Sequence, residues 1–511
     1  MQAAVATQTL HVAIPGEPSE LDPHVINAPP DFRVVPALFE GLVRGHPETL
    51  QAVPGVAERW EVSPDGLVYT FHLHPDARWS NGDPVRAADF VFSFRRALTP
   101  SLGSQYTFLF SAIAGADDFA AGRSTDFAQV GVTASGERTL QITLRQPTPY
   151  FLEIVANNPV FFPVHPATVQ RDGGASRRGT GWTRPERFVG NGPFIVESWR
   201  PNEIIVARKS ATYRDAANVR LNAIHFRSYD STDAQDRAFR AGQLHLTVRV
   251  PLAKVPAYRT QTAATLSETD MLMIRYVNLN TTRPPLHDPR VRRALALALD
   301  RRQLAERVFY GAATPAFGIV PPGLANYPTT TFLTEDVAAA RAELAAAGFP
   351  EGRGLPALEL QVEAGASSQL DQALQATWRE ALGVDVRIVT SESRVHWSSL
   401  QQGAFTLSIG GWVADYPDAT AFLDLWGRQS GWNFTGWTDP AYDRRLDEAN
   451  RAGSAEERQR RLQAAEVHLL EAMPVIPIWF ERNLRLVDPT VRGWFNNALD
   501  RPHYDSVYLA D

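Results

Sequence analysis

The acid with the most suggestive setting in the chain is Asp415, in Gly410-Gly411-Trp412-Val413-Ala414-Asp415-Tyr416-Pro417-Asp418. It is one carboxylate between two aromatic residues. Phe405, Leu407 and Ile409 alternate ahead of it with the period of a half-buried strand. The two glycines permit backbone conformations closed to other residues and let another chain come close. Pro417 stops the strand, and Asp418 is placed to cap a helix beginning near Thr420. A carboxylate at such a strand exit suits two jobs. It caps the following helix, or it holds a cation where aromatic walls exclude water and strengthen the pair.

Other chemistry is poorly represented. No GxGxxG, P-loop, HExxH, EF-hand or GxSxG pattern occurs, and the proline of Gly190-Asn191-Gly192-Pro193 removes a backbone donor. His72 and His74 are two apart in a predicted strand and share a face, which reads as a solvent-facing pair in preference to a metal-binding one. Asp443 and Asp447 lie on the solvated face of a polar helix. With no cysteine, thiolate nucleophiles, disulfides and Cys-ligated metals are excluded. Nothing here makes a credible catalytic constellation, and no metal or cofactor is expected.

At 511 residues the chain calls for two or three domains. Its net charge of −6 is small and no Lys/Arg run is long, so a nucleic-acid or membrane-surface partner is not expected. No apolar run approaches the roughly 18–20 residues that span a bilayer. The start, Met1-Gln2-Ala3-Ala4, has neither a charged nor an apolar leader region, as in a cytosolic protein or an exported one whose signal peptide is gone.

The elements that would position these residues follow from periodicity. Strands are predicted at 9–14, 68–73, 139–144, 271–280, 358–362 and 384–388. Helices are predicted at 34–42, from Ala87, 288–299, 336–347, 369–382 and 438–473. Trp60 and Trp79 read as core residues. From Met271 onward strands and helices mostly alternate, which argues an α/β domain.

The run Ala57-Glu58-Arg59-Trp60, Asp65-Gly66, Tyr69-Thr70-Phe71, Trp79-Ser80-Asn81-Gly82, Pro84-Val85 and Asp89-Phe90-Val91 resembles the signature of bacterial extracellular solute-binding proteins of the oligopeptide and dipeptide transport family (family 5). Leu21-Asp22-Pro23-His24, Asn191-Gly192-Pro193-Phe194, Asp288-Pro289-Arg290-Val291-Arg292, Gly411-Trp412, Ala414-Asp415-Tyr416 and Pro474-Val475-Ile476-Pro477 extend the resemblance over essentially the whole chain. It implies an α/β fold of the periplasmic-binding-protein-like (type II) class, with two α/β jaws joined by a hinge and an inserted third domain. The implied boundaries are 1–45, 165–268 and 483–511 for the first jaw, 46–164 for the insert and 269–482 for the second jaw, with the hinge near residues 268 and 482.

The same resemblance implies an extracytoplasmic substrate-binding subunit of an ABC importer, periplasmic or anchored at the cell surface. Its ligand would be a short peptide, its partners the membrane permease subunits, and its state a monomer. Asp415 matches the aspartate that holds the peptide α-ammonium group. Gly411 and Val413 match positions whose backbone pairs with extended peptide, Trp412 a pocket wall, and Tyr106 a tyrosine framing the amino terminus. Asn27, Ala28 and Pro29 match a first-jaw loop that also pairs with peptide backbone. Other positions depart from the family. An arginine receiving the ligand carboxylate falls on Ile409, a second pocket arginine on Leu400, a histidine on Ser367, a tryptophan wall on Ser393, and a glutamate on Asn278. These departures leave open another ligand on the same fold: a murein peptide, an opine, a sugar, or a nickel or haem complex. Arg275 reads as a surface arginine, with a replacement cation for the peptide carboxylate as the alternative.

Overall fold

The computed structural model describes residues 2–171, 173–261, 265–325, 327–329, 331–365, 368–428 and 430–511. The chain divides into two compact units, Met1–Thr269 with Asn483–Asp511, and Asp270–Arg482. Two strands, Leu266–Leu279 and Val475–Leu486, run across the division.

The first unit holds two four-stranded sheets. In one, Thr9–Ile14 pairs in parallel with Ala223–Ser228, which continues antiparallel to Ile204–Lys209 and Phe194–Arg200. Leu10, Val12 and Ile14 point from the first strand into a core shared with Val34, Val35, Leu38, Ile224 and Phe226. The other sheet is fully antiparallel, in the order Ala57–Val62, Val68–Leu73, Thr139–Thr143, Val132–Ala134. Tyr69, Phe71 and Leu73 alternate inward along its second strand. Trp79 is fully buried, and its indole N–H donates to Asp89 Oδ2, which also accepts from the Arg86 N–H and so starts the Ala87–Leu98 helix. Trp60 is half-buried: it lies opposite inward-facing Phe71, but its strand is the sheet edge, where even Val62 on the same face is exposed.

The expected 34–42 helix spans Asp31–Leu38 instead. A distant segment ends it. Asn191 Oδ1 accepts from the Glu40 N–H at 3.0 Å, and Asn191 Nδ2 donates to the Glu40 carbonyl at 2.8 Å. The Gly192 N–H donates to the Leu38 carbonyl at 3.0 Å. A Cβ on Gly192 would stand 2.5 Å from Leu38 C, so only glycine lets this strap lie across the helix end.

Two polar clusters are built into this unit. Arg96, 1 % exposed, makes a bidentate pair with Asp22 (2.9 and 2.5 Å) and also donates to the Gly174 carbonyl and meets His24 Nδ1. The Arg96 guanidinium holds the Asp22 carboxyl below its ordinary range, against its burial. In the second cluster His11 and His225 face each other on adjacent strands with ring centroids 4.8 Å apart, and His245 stacks on His11 at 5.4 Å. The His11 backbone N–H donates to His245 Nδ1 at 2.9 Å.

The second unit is organised on a six-stranded mixed sheet in the order Ala313–Pro315, Val475–Leu486, Leu266–Leu279, Leu407–Val413, Leu358–Glu363, Val386–Ser391. Val277, Leu279, Leu360, Leu374, Trp378 and Ile476 form its core. Asp288 caps the Pro289–Leu297 helix by accepting from the Arg290 N–H, and Asp336 does the same for Val337–Ala346 through Ala339. The predicted 438–473 helix is two helices, Pro440–Asn450 and Ala455–Ala472, because Ser454 accepts from the Glu457 N–H and caps a new start. No helix of the described residues is long and apolar enough to cross a membrane.

Candidate functional site

The strand carrying the opening motif is Leu407–Val413, so Phe405 precedes it, buried in the turn. It lies antiparallel to Leu266–Leu279, with Tyr276 opposite Gly410, Arg275 opposite Gly411, Ile274 opposite Trp412 and Met273 opposite Val413. This ladder explains the glycines. A Cβ on Gly410 would stand 2.7 Å from Asn278 Nδ2 and 2.8 Å from Tyr276 Cε2; one on Gly411 would stand 2.7 Å from Arg275 Nη1. The close approach expected at these glycines is made by side chains of the chain's own neighbouring strand.

The other edge of the strand is different. Its parallel pairing with Leu358–Glu363 covers Leu407 and Ser408. From Ile409 to Val413 that edge has no strand partner among the described residues. Backbone groups there are placed to pair with an added extended segment.

Helix capping falls to Asp418. Its Oδ1 accepts from the Thr420 N–H at 3.0 Å and from Thr420 Oγ1 at 2.7 Å, and its carboxylate takes a bidentate pair from Arg458 at 2.8 Å. Asp415 is therefore not the residue that starts the Thr420–Leu423 helix. It is half-buried, between half-buried Trp412 and buried Tyr416.

Trp412 begins an aromatic row. Its ring lies 5.3 Å from Trp432, which lies 6.3 Å from Phe434, which lies 6.1 Å from Trp397 on the Ser393–Gln401 helix. Trp432 and Trp397 are 42 % and 41 % exposed. Periodicity gave no hint of this row, since its members come from three separate segments. The density of Trp426, Trp432, Phe434 and Trp437 in twelve residues was the signal available.

Of the positions where the family resemblance places charged or aromatic groups, Ile409 is half-buried and packs against the unit's core, Leu400 is buried, and Ser393 is exposed at a helix start. Ser367 lies outside the described residues. Asn278 is 3 % exposed with its amide against Gly410, so it is placed to support the glycine strand.

In the first unit, Asn27 and Pro29 are exposed and Ala28 is half-buried. The N–H groups of Asn27 and Ala28 donate to Asp31 Oδ2 at 3.2 and 3.1 Å. The Ala28 carbonyl accepts in turn from the Asp31 N–H at 3.0 Å, so this loop is closed on Asp31 through three hydrogen bonds. Tyr106 packs edge-on against Phe32, 5.9 Å away, just beyond that loop. The structure thus brings Tyr106 and residues 27–29 together in one unit, and Gly411, Trp412, Val413, Asp415 and Asn278 together in the other.

The family model described as "Bacterial extracellular solute-binding proteins, family 5 Middle" matches residues 51–434. The chain belongs to this family. Among curated relatives of this family-5 chain, the "Probable deoxycholate-binding periplasmic protein YgiS" of Escherichia coli (strain K12) is 34 % identical over 502 residues, covering 96 % of this chain and 92 % of the relative. The "Periplasmic oligopeptide-binding protein OppA" of the same organism is 30 % identical over 511 residues, covering 96 % and 91 %. Among solved structures, the Escherichia coli murein tripeptide binding protein MppA superposes with a TM-score of 0.83 at 31 % identity, covering 98 % of both chains.

Proposed function

We propose that this family-5 protein is the extracytoplasmic binding subunit of an ABC importer and takes short peptides through their backbone and α-ammonium group. The observation that carries this reading is the Ile409–Val413 edge, open for strand addition and followed two residues later by Asp415. Peptides differ in side chain but share a backbone and an amino terminus. A receptor for many sequences gains by placing its contacts there. Asp415 receives the ammonium group, Gly411 and Val413 pair with ligand backbone, Trp412 walls a side-chain pocket, and Asn278 holds Gly410 in place. In the first unit, Asn27, Ala28, Pro29 and Tyr106 frame the ligand's other surroundings. The units act as jaws, with residues 46–164 an inserted domain of the first. The protein is a periplasmic or surface-anchored monomer that catalyses nothing and hands its ligand to membrane permease subunits. Being named for peptide binding, the relatives OppA and MppA support the ligand class.

The test is isothermal titration with a tripeptide and its N-acetylated form. A charge-assisted hydrogen bond is worth about 1.5–3 kcal/mol, so N-acetylation should weaken binding roughly ten- to hundredfold. Asp415→Asn should bind the free peptide about as weakly. Equal binding of both peptides by the wild type would remove Asp415 from the site.

A second reading has its own support. The exposed Trp432 and Trp397 suit a flat apolar ligand, and the relative YgiS is named for deoxycholate. Titration with deoxycholate in place of peptide separates the two.

A further inference from the structure

Arg275 interrupts an otherwise apolar run, Met271-Leu272-Met273-Ile274-Arg275-Tyr276-Val277. Its neighbours on both sides are buried, and it is itself half-buried, not the exposed arginine a surface reading requires. Its guanidinium lies over the Gly411 backbone, with Nη1 2.7 Å and Cζ 3.1 Å from the place a Cβ would occupy. The absence of a side chain at 411 is what gives it room.

Buried Arg292 and Arg301 and half-buried Arg458 in this unit are provided for. Arg292 donates to the Leu286 and Met473 carbonyls, Arg301 to the Pro477 carbonyl, and Arg458 to Asp418. Arg275 has neither a carboxylate nor a hydrogen-bond acceptor among the described residues. A cation drawn partly out of water without a counter-charge is costly, and a sequence keeps one in an apolar strand only where something repays it. Val413, beyond Gly411 on the same face of the sheet, is 42 % exposed, so this face opens to solvent at the strand end.

We infer that Arg275 is the receptor for the ligand's carboxylate, and with it the residue that sets ligand length. This rests on the peptide reading for its geometry. Gly411 and Asp415 are four residues apart, at most about 14 Å of extended chain, which matches the span of three to four ligand residues. A ligand with its ammonium on Asp415 and its carboxylate on Arg275 is therefore a short peptide with a free C-terminus. A carboxylate on an amphipathic non-peptide acid presents the same chemistry to Arg275.

The experiment is a titration of wild type, Arg275→Gln and Arg275→Lys with a tripeptide free acid, its C-terminal amide and its N-acetyl form, and with deoxycholate. Wild type should lose roughly ten- to hundredfold on C-terminal amidation. Arg275→Gln should bind acid and amide equally, at the wild-type amide level, while N-acetylation still weakens its binding; Arg275→Lys should restore part of the preference for the acid. If wild type binds acid and amide alike while N-acetylation weakens binding, Arg275 is overturned and the Asp415 reading stands. If wild type binds deoxycholate and no peptide, the peptide reading fails; the role of Arg275 then stands if Arg275→Gln weakens deoxycholate by the same factor, and falls if it does not. The comparison of acid with amide is made on wild type, so it does not depend on a variant folding.

Discussion

Adjacent glycines in one strand should respond to the same substitution to different degrees. At Gly410 a new methyl meets Asn278 Nδ2 at 2.7 Å and Tyr276 Cε2 at 2.8 Å, both on buried side chains. Ordinary contact is about 3.5 Å, so one partner must move by about 0.7 Å inside a packed layer. Overpacking of this kind costs about 1–3 kcal/mol. Neither glycine has a positive φ, so alanine recovers about 0.4–1 kcal/mol by restricting the unfolded chain. The net for Gly410→Ala is about 1–2 kcal/mol of destabilisation, or a midpoint roughly 2–8 °C lower for a unit of this size. At Gly411 the obstructing atoms are Arg275 Nη1 at 2.7 Å, Cδ at 2.8 Å and Cζ at 3.1 Å, all on one long, half-buried side chain that rotates away, so Gly411→Ala should cost less than Gly410→Ala, within about 1 kcal/mol of wild type. Thermal and urea unfolding of the ligand-free protein measure both. Asn278→Ala in the Gly410→Ala background should show a favourable coupling of at least about 0.5 kcal/mol, because it vacates the contested space. Equal stability of the two glycine variants would refute the packing account of this strand.

Asp22→Asn should cost about 3–5 kcal/mol in urea unfolding, since it leaves the buried Arg96 cation without its counter-charge. Replacing both partners together, Asp22→Leu with Arg96→Met, should recover only part of that loss, because the buried His24 and Trp182 N–H groups and the Gly174 carbonyl lose their partners. Acid should weaken the first unit through its histidine cluster. Burial pushes His11 and His245 down to about 4, and His225 down as well; Arg227 adds to the effect on His11 and His225, while Glu197 and Asp488 oppose it at His225 and His245. The folded rings stay neutral where the unfolded ones take protons near pH 6.5. Stability is thus full above that value and falls as pH drops toward 4, by at most about 1.4 kcal/mol per pH unit for each group. His245→Asn keeps an acceptor for the His11 N–H and should flatten the slope; an unchanged slope between pH 6.5 and 4 would remove the cluster as its source.

The family and the α/β class were legible because many of the motifs are local turns and caps, such as Pro64-Asp65-Gly66 and Asp288-Pro289. What sequence could not show depends on partners far along the chain. The helix that stops at Leu38 is stopped by Asn191 and Gly192, about 150 residues away, and no periodicity around residue 40 carries that. Gly410 and Gly411 were readable as sites of close approach, yet the approaching groups are Tyr276, Asn278 and Arg275, more than 130 residues earlier. Asp415 and Asp418 look equally able to cap a helix; the hydrogen bonds to Thr420 decide between them. Trp60 read as core because tryptophan usually is; its side chain does face inward beside Phe71, but at the sheet edge the core no longer covers it.

The five-residue edge from Ile409 to Val413 carries a hazard as well as a use. Any unpaired strand edge is a template, and a second copy of the chain presents as good a backbone as a peptide does. Several features limit that risk here. The edge is short, two of its five residues are poorly strand-forming glycines, and the chain bends away at Pro417. A run of five residues at one edge is a poor nucleus for a stable sheet between two proteins. The same brevity thus disfavours edge-to-edge pairing between copies of the chain.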